Sequence, residues 1–143
     1  MVGIALRFFE KFAPETGTIY EHQKIIDEIG YVYYGKMGNT VSDKNIQIIM
    51  QQKTPKILLI HSGGTNRYWA TVDHIKKERP AFNEFPKYYH DISDKFKTWF
   101  RVVKIEEAPK NIMSKCKVVS SGAILGEVSK HSMSPYFIIE FEE

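Results

Sequence analysis

At 143 residues, 43% hydrophobic and 26% charged, the chain has the make-up of one globular domain, 1–143, able to bury a core without disulfides or metal, which excludes disordered and fibrous classes. Lysine and arginine total 20 against 17 aspartate and glutamate, a net charge of +3, which allows a local basic patch without making the chain a polycation. A single cysteine, Cys116, excludes an intramolecular disulfide framework. No apolar run reaches the length of a membrane span and no secretory leader pattern opens the chain, so a cytoplasmic protein with no membrane role is expected.

In chain order, Val2 to Phe9 is apolar and aromatic and predicts a first strand, and Pro14 and Gly17 punctuate the loop that follows. Thr18-Ile19-Tyr20-Glu21 has the form of a capping box, with Thr18 as N-cap and Glu21 three residues on. His22, Ile25, Ile26 and Ile29 then recur at helical spacing, and Gly30 is a natural stop. His22 on that apolar face reads as a packed, hydrogen-bonded histidine rather than a ligand or base. Tyr31–Tyr34 predicts an aromatic strand, and Ser42 an N-cap for a helix whose apolar face is Ile46, Ile49 and Met50. That helix ends at Thr54-Pro55.

Lys56–His61 is too continuously apolar for a solvent-facing strand and is expected to be central. The Ser62–Asn66 turn returns the chain as a hairpin into Arg67–Asp73. Residues Ile75 to Lys97 are irregular, with at most a helical turn. Phe82, Phe85, Tyr88, Tyr89 and Phe96 are poor residues to leave in water, so this stretch is expected to be an ordered loop of the functional kind. Thr98–Ile105 predicts a further strand, Asn111–Cys116 a short helix, Lys117–Ser121 a short strand, and Pro135–Phe141 a final strand. Gly122–His131 is ambiguous. The sum is an α+β fold with a mixed sheet of about five or six strands and two or three helices.

Glycine clusters at Gly63-Gly64 and at Gly122 and Gly126 match neither a phosphate loop nor a dinucleotide fingerprint. The histidines at 22, 61, 74, 90 and 131 are scattered, with no HExxH and no cysteine pairs, although His61 and His74 could meet across the hairpin. No triad is legible from spacing. These patterns give no positive sign of an enzyme, a metal or a cofactor.

The aromatic set points elsewhere. Tyr33, Tyr34, Trp69, Tyr88, Tyr89 and Trp99 fall at strand ends or in the long loop, interleaved with Lys36, Arg67, Lys87, Lys95 and Lys97. An unstacked base needs aromatic walls, a few polar groups for its edge, and cations for the flanking phosphates. Each aromatic could equally fill a core.

The order of elements resembles the PUA-like superfamily, and within it the YTH and EVE domains that read modified bases. Gly30–Tyr34 is similar to the family's first aromatic strand and Ile57–Ser62 to its apolar strand ending in Ser. Tyr68–Val72 is similar to the strand after the hairpin and Phe100–Ile105 to the later strand. The resemblance implies a twisted mixed sheet or partial barrel with an aromatic cage. Tyr33 or Tyr34 would form one wall of that cage and Phe85, Tyr88 or Tyr89 the other, with Ser62 near the base edge and Trp69 in the base-binding set. Where the family's first wall is Trp, this chain has Tyr. Lys36, Arg67, Lys87, Lys95 and Lys97 would contact phosphates.

The implied function is a non-enzymatic domain that holds an extruded, modified (methylated) base of a nucleic acid, DNA favoured and RNA possible. Similar folds serve as target-reading domains of McrBC-type restriction systems, where an NTPase or nuclease partner does the chemistry. The alternatives are a stand-alone RNA-binding protein, a nucleoside- or metabolite-binding protein, and a protein-interaction module.

Overall fold

A computed structural model describes residues 1–62 and 64–142. Gly63, within the expected hairpin turn, and Glu143 lie outside the described residues. The elements are β1 (Val2–Phe8), α1 (Thr18–Ile29), β2 (Val32–Met37), α2 (Asp43–Met50), β3 (Lys56–His61) and β4 (Arg67–Lys76). Two 3-10 segments follow, Phe82–Glu84 and Lys87–Lys95, then β5 (Phe96–Glu107), α3 (Ile112–Lys115), β6 (Lys117–Val118), α4 (Leu125–His131) and β7 (Tyr136–Glu140). The α+β class holds. Among the described residues the strands number seven, more than the five or six expected, because the short candidate at Lys117–Ser121 survives as a two-residue β6. The ambiguous stretch Gly122–His131 supplies α4.

One sheet carries all seven strands in the order β2-β5-β4-β3-β1-β7-β6. The apolar run of β3 is central as its composition requires, parallel to β1 (Ile4 opposite Ile57) and antiparallel to β4 (Ile57 opposite Ala70). His74 lies beyond the far end of that hairpin pairing, so it does not meet His61. Successive side chains alternate faces, and two cores result. Ile4, Leu6, Ile57, Leu59, Val72 and Val102 face α1 and α2, while Ala5, Leu58, Ile60, Trp69 and Ile139 pack with Leu125, Cys116 and Phe141 on the other face.

The sheet rolls. Laid flat, β2 and β7 would stand five strand steps apart, about 24 Å at ~4.8 Å per step. Instead the Lys36 ammonium of β2 lies 4.5 Å from the ring centroid of Tyr136 in β7. The result is a partial barrel whose two margins approach each other.

The helix termini show which local signals were read correctly. Ser42 Oγ accepts the Asn45 N–H at 3.1 Å, as an N-cap should. Gly30 ends α1 in the left-handed region, φ 90, its N–H on the Ile26 carbonyl. The expected Thr18–Glu21 capping box does not form. Thr18 is already helical, and its N–H is met by the Glu10 carboxylate from the preceding loop, at 3.2 and 3.3 Å to the two oxygens. Glu21 instead accepts from Thr16 Oγ1 at 2.8 Å. A carboxylate at a helix N-terminus satisfies an orphan donor and suits the dipole, so the remote Glu10 takes the place of a local cap.

Candidate nucleic-acid interface

Where the margins of the rolled sheet meet, a cleft of about 120 Å³ opens. That is room for about ten water-sized atoms, the scale of one nucleobase. One wall is the end of β1 and the loop after it, with Phe8, Phe9 and Phe12. The second is β2, with Tyr34, Gly35 and Lys36. The third is the 3-10 segment before β5, with Tyr88, Tyr89 and Ile92, and Thr18 and Pro135 complete the lining. Phe9 and Phe12 are 57% and 50% exposed. Two large aromatic rings left in water at the mouth of an aromatic cleft are the kind of exposed apolar surface that marks a binding site.

The floor is held by a buried hydrogen-bonded chain. The Thr18 carbonyl stands 2.8 Å from His22 Nδ1. A carbonyl only accepts, so that nitrogen carries the proton and Nε2, in the neutral ring, must accept. The Tyr89 hydroxyl, 3.1 Å away, donates to it and takes the Gly35 N–H at 3.4 Å. Complete burial pushes the His22 pKa down to about 4, against the opposing pull of the Thr18 carbonyl and the Glu21 charge, so the ring is neutral at physiological pH. His22 is the packed histidine that its helical position predicts. Its partner Tyr89 covers β2, which is an edge of the sheet.

Gly35 makes room for this roof. A Cβ there would stand 2.6 Å from Phe96 Cγ, so only glycine lets the Phe96 ring lie on the strand. Phe96 in turn stacks against Tyr89 at 4.4 Å between centroids and meets Trp99 at 5.2 Å.

The polar groups on the walls are few. Burial raises the Tyr34 and Tyr88 hydroxyls above the ordinary tyrosine pKa, Tyr88 to about 12, so both keep their protons. Tyr88 reaches Thr18 Oγ1 at 3.5 Å. Tyr34 packs on His22 at 5.2 Å between centroids. Its hydroxyl has no hydrogen-bond partner among the described residues, yet is not one of the sealed unpaired atoms, which are Arg67 Nε and Trp99 Nε1. Tyr34 itself lines the cleft. Lys36, only 6% exposed, donates to the carbonyls of Met37 (3.2 Å) and Asn39 (2.6 Å), and burial lowers its pKa.

The structure sorts the residues predicted from the sequence. Tyr34, Tyr88, Tyr89 and Lys36 line the cleft. Tyr33 and Phe85 lie behind it, in the cluster with Tyr89, Phe96 and Trp99 that backs the wall, because neighbouring residues of one strand face opposite ways. Trp69 is packed on Phe141 in the core of the other sheet face, 4.7 Å between centroids, and does not reach the cleft. Ser62 sits at the end of β3 with its N–H on the Phe8 carbonyl, next to the first wall but outside the lining. Arg67 lies at the start of β4, where it lines a separate polar depression with Tyr68 and Glu107. Lys36 is a correction of role: an ammonium so buried, held by two carbonyls and lying over the Tyr136 ring, is not free to meet a passing phosphate.

Lys87 and Lys95 are exposed, each next in the chain to a lining aromatic, Tyr88 and Phe96. Lys97 is exposed and holds the Asp94 carbonyl at 3.1 Å. Lys11, which sequence reasoning passed over, is likewise exposed beside Phe12, its ammonium 5.5 Å from that ring. Phe9, Phe12 and Thr18 were also missed. The available signal was Phe9 and Phe12 flanking Lys11 in a Pro-punctuated loop.

A family model described as Pua-like matches residues 4–134. The chain belongs to the Pua-like family. The match points to a fold of nucleic-acid or modified-base binding, and the buried aromatic cluster of the present Pua-like domain is compatible with that use. No curated protein and no solved structure matches the chain. Among the described residues of this Pua-like domain, no helix is long and apolar enough to cross a membrane.

Proposed function

We propose that this Pua-like domain binds nucleic acid and holds one extruded, modified base in the cleft between β1, β2 and the 3-10 segment. The observation that carries the reading is the cleft itself: base-sized, walled by Tyr34, Tyr88, Phe9 and Phe12, and open at an exposed aromatic lip. A flipped base stacks on such rings, while cations at the rim draw in the flanking phosphates. Lys11, Lys87 and Lys95, each adjacent in the chain to a lining aromatic, suit that second task, and their contribution falls with salt. Binding of this kind asks for no catalysis by the domain. It fits the target-reading part of a modification-dependent restriction or defence system, with nuclease or NTPase chemistry supplied by a partner, and DNA as the favoured ligand.

The test is fluorescence-polarisation titration at two salt concentrations. The panel contains duplex DNA, single-stranded DNA and RNA, each unmodified or carrying one modified base. The reading expects salt-dependent binding with a preference for one modified member, and a loss of about 1–3 kcal/mol in Phe12→Ala or Tyr34→Ala. Phe12 is exposed, so its truncation leaves the fold intact and reports on binding alone. Undiminished binding by both variants would move the base elsewhere. Saturable binding of a free nucleoside, insensitive to salt, would favour a metabolite-binding protein instead.

A further inference from the structure

A second hollow, of about 510 Å³, opens at the same end of the sheet as the cleft. Thr65, Asn66, Arg67 and Tyr68 line it from the turn before β4 and the start of that strand, and Glu107 and Lys110 from the end of β5 and the loop beyond. The strand ladders fix its place. Phe8, on the cleft wall, stands opposite His61, the His61 N–H meets the Asn66 carbonyl, and Tyr68 stands opposite Glu107. The Tyr68 ring also packs on Phe8, 6.3 Å between centroids, so one aromatic contact separates the hollow from the cleft. β4 is two strand steps from β1, about 10 Å at ~4.8 Å per step.

The charges of this hollow are unspent. Among the described residues, Arg67, Lys110 and Glu107 enter no ion pair. The Arg67 guanidinium gives one N–H from Nη1 to the Thr65 carbonyl, and its Nε is sealed. Nη2 has no acceptor among the described residues and is not sealed, so it is open to solvent. Two cations and one carboxylate leave the hollow a formal charge of +1. A backbone phosphodiester carries a single negative charge, whereas a terminal phosphate carries nearly two. We propose that this hollow seats a backbone phosphate of the strand whose base lies in the cleft, with Arg67 and Lys110 as its partners. At ~3.4 Å of rise per nucleotide in a stacked strand, the separation corresponds to about three nucleotides, and to about two where extrusion of the base draws the strand out. Arg67 supplies a charge-assisted hydrogen bond, and Lys110 an attraction that salt weakens. The proposal rests on the base-holding reading above, and it makes the domain grip a length of strand rather than one nucleotide.

A double cycle between side chains and phosphates tests this. The probe is a single-stranded DNA decamer with one central modified base, 5-methylcytosine and N6-methyladenine in turn. Its counterpart carries uncharged methylphosphonates at the second and third linkages on either side of that base. Lys110 is exposed, so Lys110→Gln leaves the fold intact. It should weaken the natural decamer about threefold and lower its salt slope by about one, yet change the counterpart by less than about 1.5-fold. Arg67→Gln should act on the same strand, by about tenfold. Glu107→Gln should tighten the natural decamer, a sign that a merely structural role would not give. Equal losses on both strands, no loss on either, or weaker binding by Glu107→Gln overturns the proposal. If Arg67→Gln does not fold, Lys110→Gln and Glu107→Gln decide. Phe12→Ala and Tyr34→Ala in the same titrations keep the two readings apart. A loss in these with none in Lys110→Gln and Arg67→Gln removes the phosphate seat alone. Undiminished binding by both removes the base-holding reading, and with it the register that it gives the seat.

Discussion

His22 turns the floor of the cleft into a measurable pH dependence. In the folded protein its pKa is pushed down from 6.5 to about 4 by burial, while in the unfolded chain it returns to its ordinary value. The unfolded state therefore binds a proton first as pH falls. The stability linked to this group is complete above 6.5, is lost as pH drops from 6.5 to about 4, and is lost in full below that. The whole gap corresponds to about 3 kcal/mol, and the interval from about pH 7 to about pH 4.5 to about 2 kcal/mol. Other groups titrate in the same range, so the assay compares wild type with His22→Gln. Glutamine can donate to the Thr18 carbonyl and accept from Tyr89 but binds no proton. Urea denaturation at a series of pH values should show wild type losing about 2 kcal/mol more than the variant over that interval. Parallel pH profiles for the two proteins would refute the assignment of a buried neutral imidazole at the cleft floor.

Gly35→Ala should destabilise the domain by about 1–3 kcal/mol, read as a shift in the urea midpoint, because the new methyl meets the Phe96 ring. The same substitution should weaken oligonucleotide binding, since Phe96 lines the cleft. Lys87→Gln and Lys95→Gln should each lower the slope of log affinity against log salt by about one, with stability changed by less than about 0.5 kcal/mol. An unaltered slope in both would take the phosphate path away from that rim.

The sheet was legible because its signals are local and redundant. Lys56–His61 is apolar on both faces because both faces of β3 are covered, and a strand buried on both sides has no reason to alternate. Ser42 and Gly30 are local signals whose geometry is set by the backbone alone. The capping box at Thr18 failed for the opposite reason. Glu10, eight residues earlier, competes for the same N–H once the loop folds back, and nothing in a four-residue pattern registers that.

The site was legible in kind and not in membership. Alternation says that Tyr33 and Tyr34 point to opposite faces, but which face bounds the cleft depends on how the sheet rolls. Trp69 resembles a ligand-binding aromatic until α4 and the residues after β7 cover it. Phe9 was assigned to the first strand, which in fact ends at Phe8, and Phe12 to a loop, where a ring is ambiguous until its exposure is known. Lys36 shows the same limit for charge, since its place in the chain beside aromatic residues gives no hint that carbonyls and a ring would enclose it.

The meeting of Lys36 with Tyr136 also makes the closed cleft depend on a contact between strands far apart in the chain. Ile4 stands opposite Ile57 on one side and Ile138 on the other, so β1 pairs with β3 across a much shorter loop than the one that brings β7 to it. Closing so long a loop is the slow, entropically costly step. Until it happens the trough beside Tyr34 and Phe8 lacks Pro135 and Tyr136. A domain in which β7 has not yet docked therefore has its aromatic walls but no closed pocket. The cleft takes its closed form only when β7 docks.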